Sequence, residues 1–191
     1  MDTWVLPTLL GLGLSAATGY RTFLPLLMLS ATAHFGWFGV ELNSSFGWLG
    51  STAALVALLV ATGFELTTDL IPGVDNVKSV VGNLTRPLAA AVATGAVFAN
   101  LDPSAAAIAG LIIGAPTALA FATAQTGTRA ASTATTAGAA NPVISVLEDI
   151  VSFTTALIAL VVPVLIPLVL LALGWLIYRA VRRFRSRPAP A

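Results

Sequence analysis

Five continuous apolar stretches, at about 4–33, 48–71, 77–99, 104–126 and 143–178, make up most of this chain. A soluble domain carries roughly 25% charged residues, whereas this chain carries 9%. The stretches are therefore expected in or at a bilayer. They are rich in Ala and Leu and do not alternate between apolar and polar residues. They predict helices and not the strands of a barrel. The expected fold class is all-α, a polytopic membrane helical bundle. A single integral membrane domain spans 1–178, and a basic tail follows at 179–191.

A crossing takes about 20 residues. The second, third and fourth stretches fit one crossing each. The first, about 30 residues, and the fifth, 36 residues, are too long for one straight crossing. Pro25 lies inside the first, and Pro163 and Pro167 inside the fifth. Each proline removes a backbone hydrogen bond and clashes with the preceding turn. Both stretches are expected to be kinked or broken, the fifth near Pro163–Pro167. The longest connection, 34–47, brings Trp37, Phe38 and Phe46, with Trp48 just beyond, and reads as an interfacial aromatic belt.

The net charge of +1 conceals an asymmetry. Arg179, Arg182, Arg183, Arg185 and Arg187 lie in the last 13 positions, while the chain up to Tyr178 holds four basic and eight acidic residues. Positive charge directly after a long apolar stretch places the C-terminus in the cytoplasm. Five crossings then put the N-terminus outside. The same arginines suit anionic headgroups, so membrane lipids are expected partners. No basic domain follows, and nucleic acid is not an expected partner.

The chain has no cysteine and a single histidine, His34. No metal-binding spacing is present, and no metal or cofactor is expected. No Gly-x-Ser-x-Gly elbow, histidine–carboxylate cluster or nucleophile–base pair occurs, so an enzyme is not expected. The opening MDTWVLPTLL carries Asp2 and no basic stretch, and does not read as a cleavable signal peptide.

Ionisable residues inside apolar stretches are costly and need a partner or a use. Arg21 lies within the first stretch and Arg86 within the third. Glu65 and Asp69, four apart, share a helix face near the end of the second. They are expected to face the interior, with at least one reaching an arginine. Asp75 and Lys78 flank the start of the third, and Glu148 and Asp149 lie early in the fifth. These acidic residues and Lys78 are candidates for charge pairing or proton carriage.

The segment GTRAASTATTAGAANP, 127–142, is polar in an apolar chain. Gly127, Gly138 and Pro142 predict a non-helical or broken-helical element, packed against the first and third stretches with Arg129 turned inward. A helix starting at Asn141-Pro142 would carry proline in its first turn. Arg21, Arg86 and Arg129, with Ser132, Thr133, Thr135, Thr136 and Asn141, are the candidate substrate-binding residues for an anion. There is also a faint internal echo. TGYR at 18–21 returns as TGTR at 126–129, and VKSVVGNL at 77–84 as VISVLEDI at 143–150. Internal repeats of this kind occur in secondary transporters.

The motifs Gly19-Tyr20-Arg21-Thr22-Phe23-Leu24-Pro25, Pro72-Gly73-Val74-Asp75, Arg86-Pro87, Gly127-Thr128-Arg129 with Ser132-Thr133-Ala134-Thr135, and Asn141-Pro142 cover nearly the whole chain. In these the chain resembles a bacterial family of small integral membrane proteins known only as a domain of unknown function. The resemblance implies one membrane domain with a polar signature, in the bacterial inner membrane, and implies no activity. The expected function is transport or channelling of a small, anionic solute through the arginines and hydroxyls. The alternative is a structural, accessory or lipid-binding protein whose buried charges only pair with each other. The sequence leaves a homo-oligomer open.

Overall fold

The computed structural model describes residues 4–68 and 75–185; within the second range, side chains are described at 82, 84–179 and 182. Among the described residues there are eight α-helices and no strand: α1 Val5–Tyr20, α2 Leu24–Phe35, α3 Thr52–Thr68, α4 Asp75–Ala96, α5 Pro103–Ala109, α6 Ala115–Thr136, α7 Asn141–Val161 and α8 Ile166–Arg185. A π-turn, Gly110–Gly114, joins α5 to α6 without interruption.

α1 is the axis. Residues from Leu10 to Gly19 are almost all buried, and the helix packs on α4, α6 and α7. Small residues permit this. A Cβ at Gly19 would lie 2.5 Å from the Phe121 Cβ and 2.8 Å from the Ala118 carbonyl oxygen. One at Gly13 would lie 2.6 Å from the Ala159 Cβ. Helices in lipid gain little from burying apolar surface against each other, so they associate by close backbone approach and polar contacts. Both occur here. Ser15 and Thr94 share a hydrogen bond of 2.6 Å, and the Ser152 hydroxyl donates to the Ala17 carbonyl at 3.0 Å. Large apolar side chains point outward instead, among them Val60, Phe64, Ile112, Val143, Leu168 and Leu171.

The first apolar stretch breaks as expected. Arg21 is extended (φ −134°, ψ 120°), α1 ends before it, and α2 starts at Leu24 with Pro25 in its first turn. The fifth also breaks as expected. Val162 leaves helical geometry (φ −140°, ψ 69°), Pro163–Leu165 form a 3₁₀ turn, and α8 begins with Pro167 in second position. In both cases proline sits where its missing N–H has no partner to lose.

Two expectations are corrected. Five crossings are not found. By length and composition, two described helices can cross a membrane: the run Pro103–Thr136, 34 residues, and α7. A third is added if α3 and the 3₁₀ turn Ser44–Gly50, bent by 65°, count as one span. The proline breaks divide the outer stretches into shorter helices. The segment 127–142 is not broken throughout either, because α6 runs through Gly127 to Thr136. One glycine costs a helix only about 1 kcal/mol, and the alanines around it favour the helix. Thr128, Thr135 and Thr136 donate back to the carbonyls of Ala124, Ala131 and Ser132. The break comes after Thr136, where Ala137 and Gly138 are left-handed (φ 52° and 85°). α7 then starts at Asn141 with Pro142 in its first turn, as expected.

At the end of the bundle where α2 stops, Trp37, Phe38 and Trp48 are exposed, and the Phe35 and Trp37 rings stack at 4.9 Å. The Asn43 side chain donates to the carbonyls of Phe98 (3.0 Å) and Leu101 (2.8 Å), tying this loop to the end of α4.

Two outcomes are expected. A Cβ at Gly114 would lie 2.5 Å from the Ala90 carbonyl oxygen and 2.8 Å from the Thr94 hydroxyl. Gly114→Ala should destabilise by about 1–3 kcal/mol, measured by thermal unfolding in detergent. Asp102 caps α5 by accepting from the Ser104 and Ala105 amides, and the Ala105 bond is the main reason its carboxyl sits below its ordinary value. The folded form therefore binds its proton more weakly. The cap's contribution is present above the ordinary carboxylate range and is lost as pH falls through the lowered value. Asp102→Asn should flatten that acid limb in a pH series of unfolding curves.

Candidate functional site

α1 is about 24 Å long, and Arg21 closes the end opposite the aromatic loop. Five helices, α1, α3, α4, α6 and α7, bring polar groups to that end. Arg21, 1% exposed, donates to the Ser145 carbonyl (3.0 Å) and hydroxyl (2.8 Å). Its Nε forms an ion pair with Asp149 Oδ1. Its Nη2 lies 4.0 Å from Glu148 Oε2. Arg129 points inward from α6. Its Nε donates to both Glu148 oxygens (3.1 and 3.2 Å), and its Nη2 donates to Glu148 Oε2 (2.5 Å) and the Ser145 hydroxyl (3.2 Å).

Arg86 arrives from α4 and is held differently. Its Nη1 donates to the Gln125 side-chain oxygen, and its Nε is buried without a hydrogen-bond partner among the described residues. The Gln125 amide nitrogen donates to Glu148 Oε2 (2.7 Å) and to the Tyr20 carbonyl (3.3 Å). Those two acceptors fix the amide's orientation: its nitrogen must face Glu148, so its oxygen faces Arg86. A neutral amide therefore separates the Arg86 guanidinium from the Glu148 carboxylate.

Glu65 belongs to the same end. Its carboxylate accepts the backbone N–H groups of Thr22 (2.7 Å) and Phe23 (3.0 Å), the first residues after the α1 break. It faces the interior as expected, within Coulombic range of Arg86. The carboxylate supplies acceptors for two amides that the break deprives of helical partners. Asp69, Asp75 and Lys78 have side chains outside the described residues.

The three arginines thus converge on one cluster with Glu148, Asp149 and Gln125. The hydroxyls do not all follow. Ser132 is buried on the inner face of α6, one turn beyond Arg129, and its hydroxyl has no hydrogen-bond partner among the described residues. Thr133, Thr135 and Thr136 are exposed. Two of them back-bond along the helix, and Thr133 accepts from the Asn141 amide at 3.1 Å. Once the segment is helical, its spacing sends these three outward.

Gln125 and Ser145 were absent from the sequence expectations. Helical spacing could have found both. Gln125, Arg129 and Ser132 recur at four and three residues, and Ser145, Glu148 and Ser152 at three and four. In an apolar chain each series marks one polar face.

A family model described as a domain of unknown function, DUF4126, matches residues 8–183. The chain belongs to that family. No curated protein and no solved structure matches it. The motifs that carried the resemblance to a domain of unknown function lie largely in the cluster. Gly19–Pro25 makes the α1–α2 break, Arg86-Pro87 supplies the Gln125-bound guanidinium, and Gly127–Arg129 supplies the partner of Glu148. Asn141-Pro142 starts the helix that bears Ser145 and Glu148.

The two ion-paired arginines should differ in their effect on stability. Removing one partner of a buried pair costs about 3–5 kcal/mol. Arg21→Ala should reach the upper end of that range, because its side chain is 2% exposed; Arg129→Ala should cost less, because its side chain is 20% exposed. Unfolding of both variants in the same detergent tests the order.

Proposed function

We propose that this DUF4126 protein is an integral membrane transporter or channel for a small anionic solute, with Arg86 as the cation that meets the solute. The observation that carries the reading is the inequality of the three arginines. Arg21 and Arg129 contact carboxylates, whereas the hydrogen bond of Arg86 goes to a neutral amide and its Nε is unpartnered among the described residues. A half-buried guanidinium without a contacting carboxylate is costly, and an anion would offset that cost. Glu148, Asp149 and Glu65 serve as counter-ions that hold the surrounding frame.

The membrane is taken to be the bacterial inner membrane. The end bearing Arg21, Arg86 and Arg129 is assigned to the cytoplasmic side, with the arginine-rich C-terminal segment, by the bias of Lys and Arg toward that side. The aromatic loop is assigned to the opposite interface. Thr133, Thr135 and Thr136 are left out of the site, and Ser132 is kept.

A second reading has its own support. The pairing of Arg21 and Arg129 with Glu148 and Asp149 is what a purely structural charge network would show. Purified protein in liposomes separates the two. Under the transport reading, Arg86→Gln abolishes anion flux while the unfolding temperature stays within a few degrees of the parent. Under the structural reading, no anion flux above empty liposomes is found, and Arg86→Gln changes only stability.

A further inference from the structure

Arg86 does not present all of its guanidinium. One terminal nitrogen, Nη1, is taken by Gln125. The opposite edge, formed by Nε and Nη2, makes no hydrogen bond among the described residues. That edge carries two parallel N–H groups, the geometry that matches two oxygens of one carboxylate or phosphate.

The residue next to this edge is Gly82, one turn earlier on α4. A Cβ built there would lie 3.5 Å from Arg86 Nε, 3.7 Å from Cζ and 3.9 Å from Nη2. Any side chain at 82 would therefore stand against the two free donors. Gly82 is not in a left-handed conformation, and the three nearest atoms that Cβ would meet all belong to Arg86, at ordinary van der Waals distance. The backbone gives no reason for glycine here, and a mid-helix glycine costs about 1 kcal/mol relative to alanine. What glycine provides is the absence of a side chain against the Nε–Nη2 edge.

We infer that the Nε–Nη2 edge of Arg86, which Gly82 leaves without a side chain against it, is a binding site for an oxyanion with two oxygens on one centre, a carboxylate or phosphate group, in preference to a halide. The inference rests on the anion reading above and narrows its substrate class. Gln125 is the positioning residue. Its oxygen holds Nη1, and its amide nitrogen, anchored on Glu148 and the Tyr20 carbonyl, keeps the guanidinium from turning its free edge onto Glu148.

The test uses the full chain in detergent, titrated at constant ionic strength with sodium acetate, sodium phosphate or sodium chloride. Binding is followed by calorimetry and by the shift in unfolding temperature. In the parent protein, acetate and phosphate are expected to bind about tenfold or more tightly than chloride, as a second charge-assisted hydrogen bond implies. Gly82→Ala meets only ordinary contacts and improves helix propensity. It should unfold at an equal or higher temperature, yet bind acetate and phosphate about tenfold more weakly. A structural effect would move both quantities together. Chloride binding as tight as acetate in the parent, or oxyanion affinity unchanged in Gly82→Ala, overturns the inference. Arg86→Gln separates the two levels. If it removes the response to all anions while Gly82→Ala changes nothing, the oxyanion site falls and the anion reading stands. If Arg86→Gln keeps the full response, the anion reading falls as well.

Discussion

Glu148, 5% exposed near the start of α7, accepts hydrogen bonds from Gln125 and Arg129, one turn apart on α6, while Arg21 approaches it from the end of α1. A carboxylate at that depth is tolerable only if its charge and lone pairs are met. The need works in both directions. Glu148 must have these donors, so α1, α6 and α7 must meet in one register. Much of the remaining packing is between alanines, glycines and leucines, which slide past one another at little cost. The carboxylate supplies the directionality that such contacts lack.

The same carboxylate explains why the three arginines are not equivalent. Arg21 and Arg129 share Glu148 and Ser145, with Asp149 completing the set. Their charges are met at contact distance. Arg86 approaches the same carboxylate and is stopped by the Gln125 amide. An amide can donate to a carboxylate and accept from a guanidinium at once, so it conducts hydrogen bonding while keeping the charges apart. The faint repeat has a counterpart here, since Arg21 and Arg129, the arginines of TGYR and TGTR, both reach Ser145. The local structures differ, because one arginine lies at a helix break and the other within a helix.

Much of the architecture was legible because it follows from gross physical demands. Continuous apolar runs predict helices, and Pro25, Pro163 and Pro167 predict breaks that are present. That Arg21, Arg86 and Arg129 each need a partner or a use followed from the cost of charge in an apolar stretch; that they meet in one cluster was left open. What failed was local. Gly127 reads, with Gly138 and Pro142, as a breaker, but alanine propensity and back-bonding to the preceding turn outweighed that one glycine, and the break comes only after Thr136. That error also turned Thr133, Thr135 and Thr136 toward the site when helical spacing turns them away. Gln125 was overlooked because it is uncharged, and searching by charge finds the ions but not the group between them.

The small-residue face of α1 changes what kind of information this sequence has to carry. Outside the bundle, on α3, α7 and α8, large apolar side chains meet the surroundings, and one can replace another with little consequence. Along α1 the requirement is for side chains that are missing: Gly11, Gly13 and Gly19 each leave room for a neighbouring helix. Hydrophobicity can drift on the outer surface, while volume is fixed at the axis. Hydropathy therefore locates the helices but says little about how they fit, and the positions that specify the assembly are among the least conspicuous in the chain.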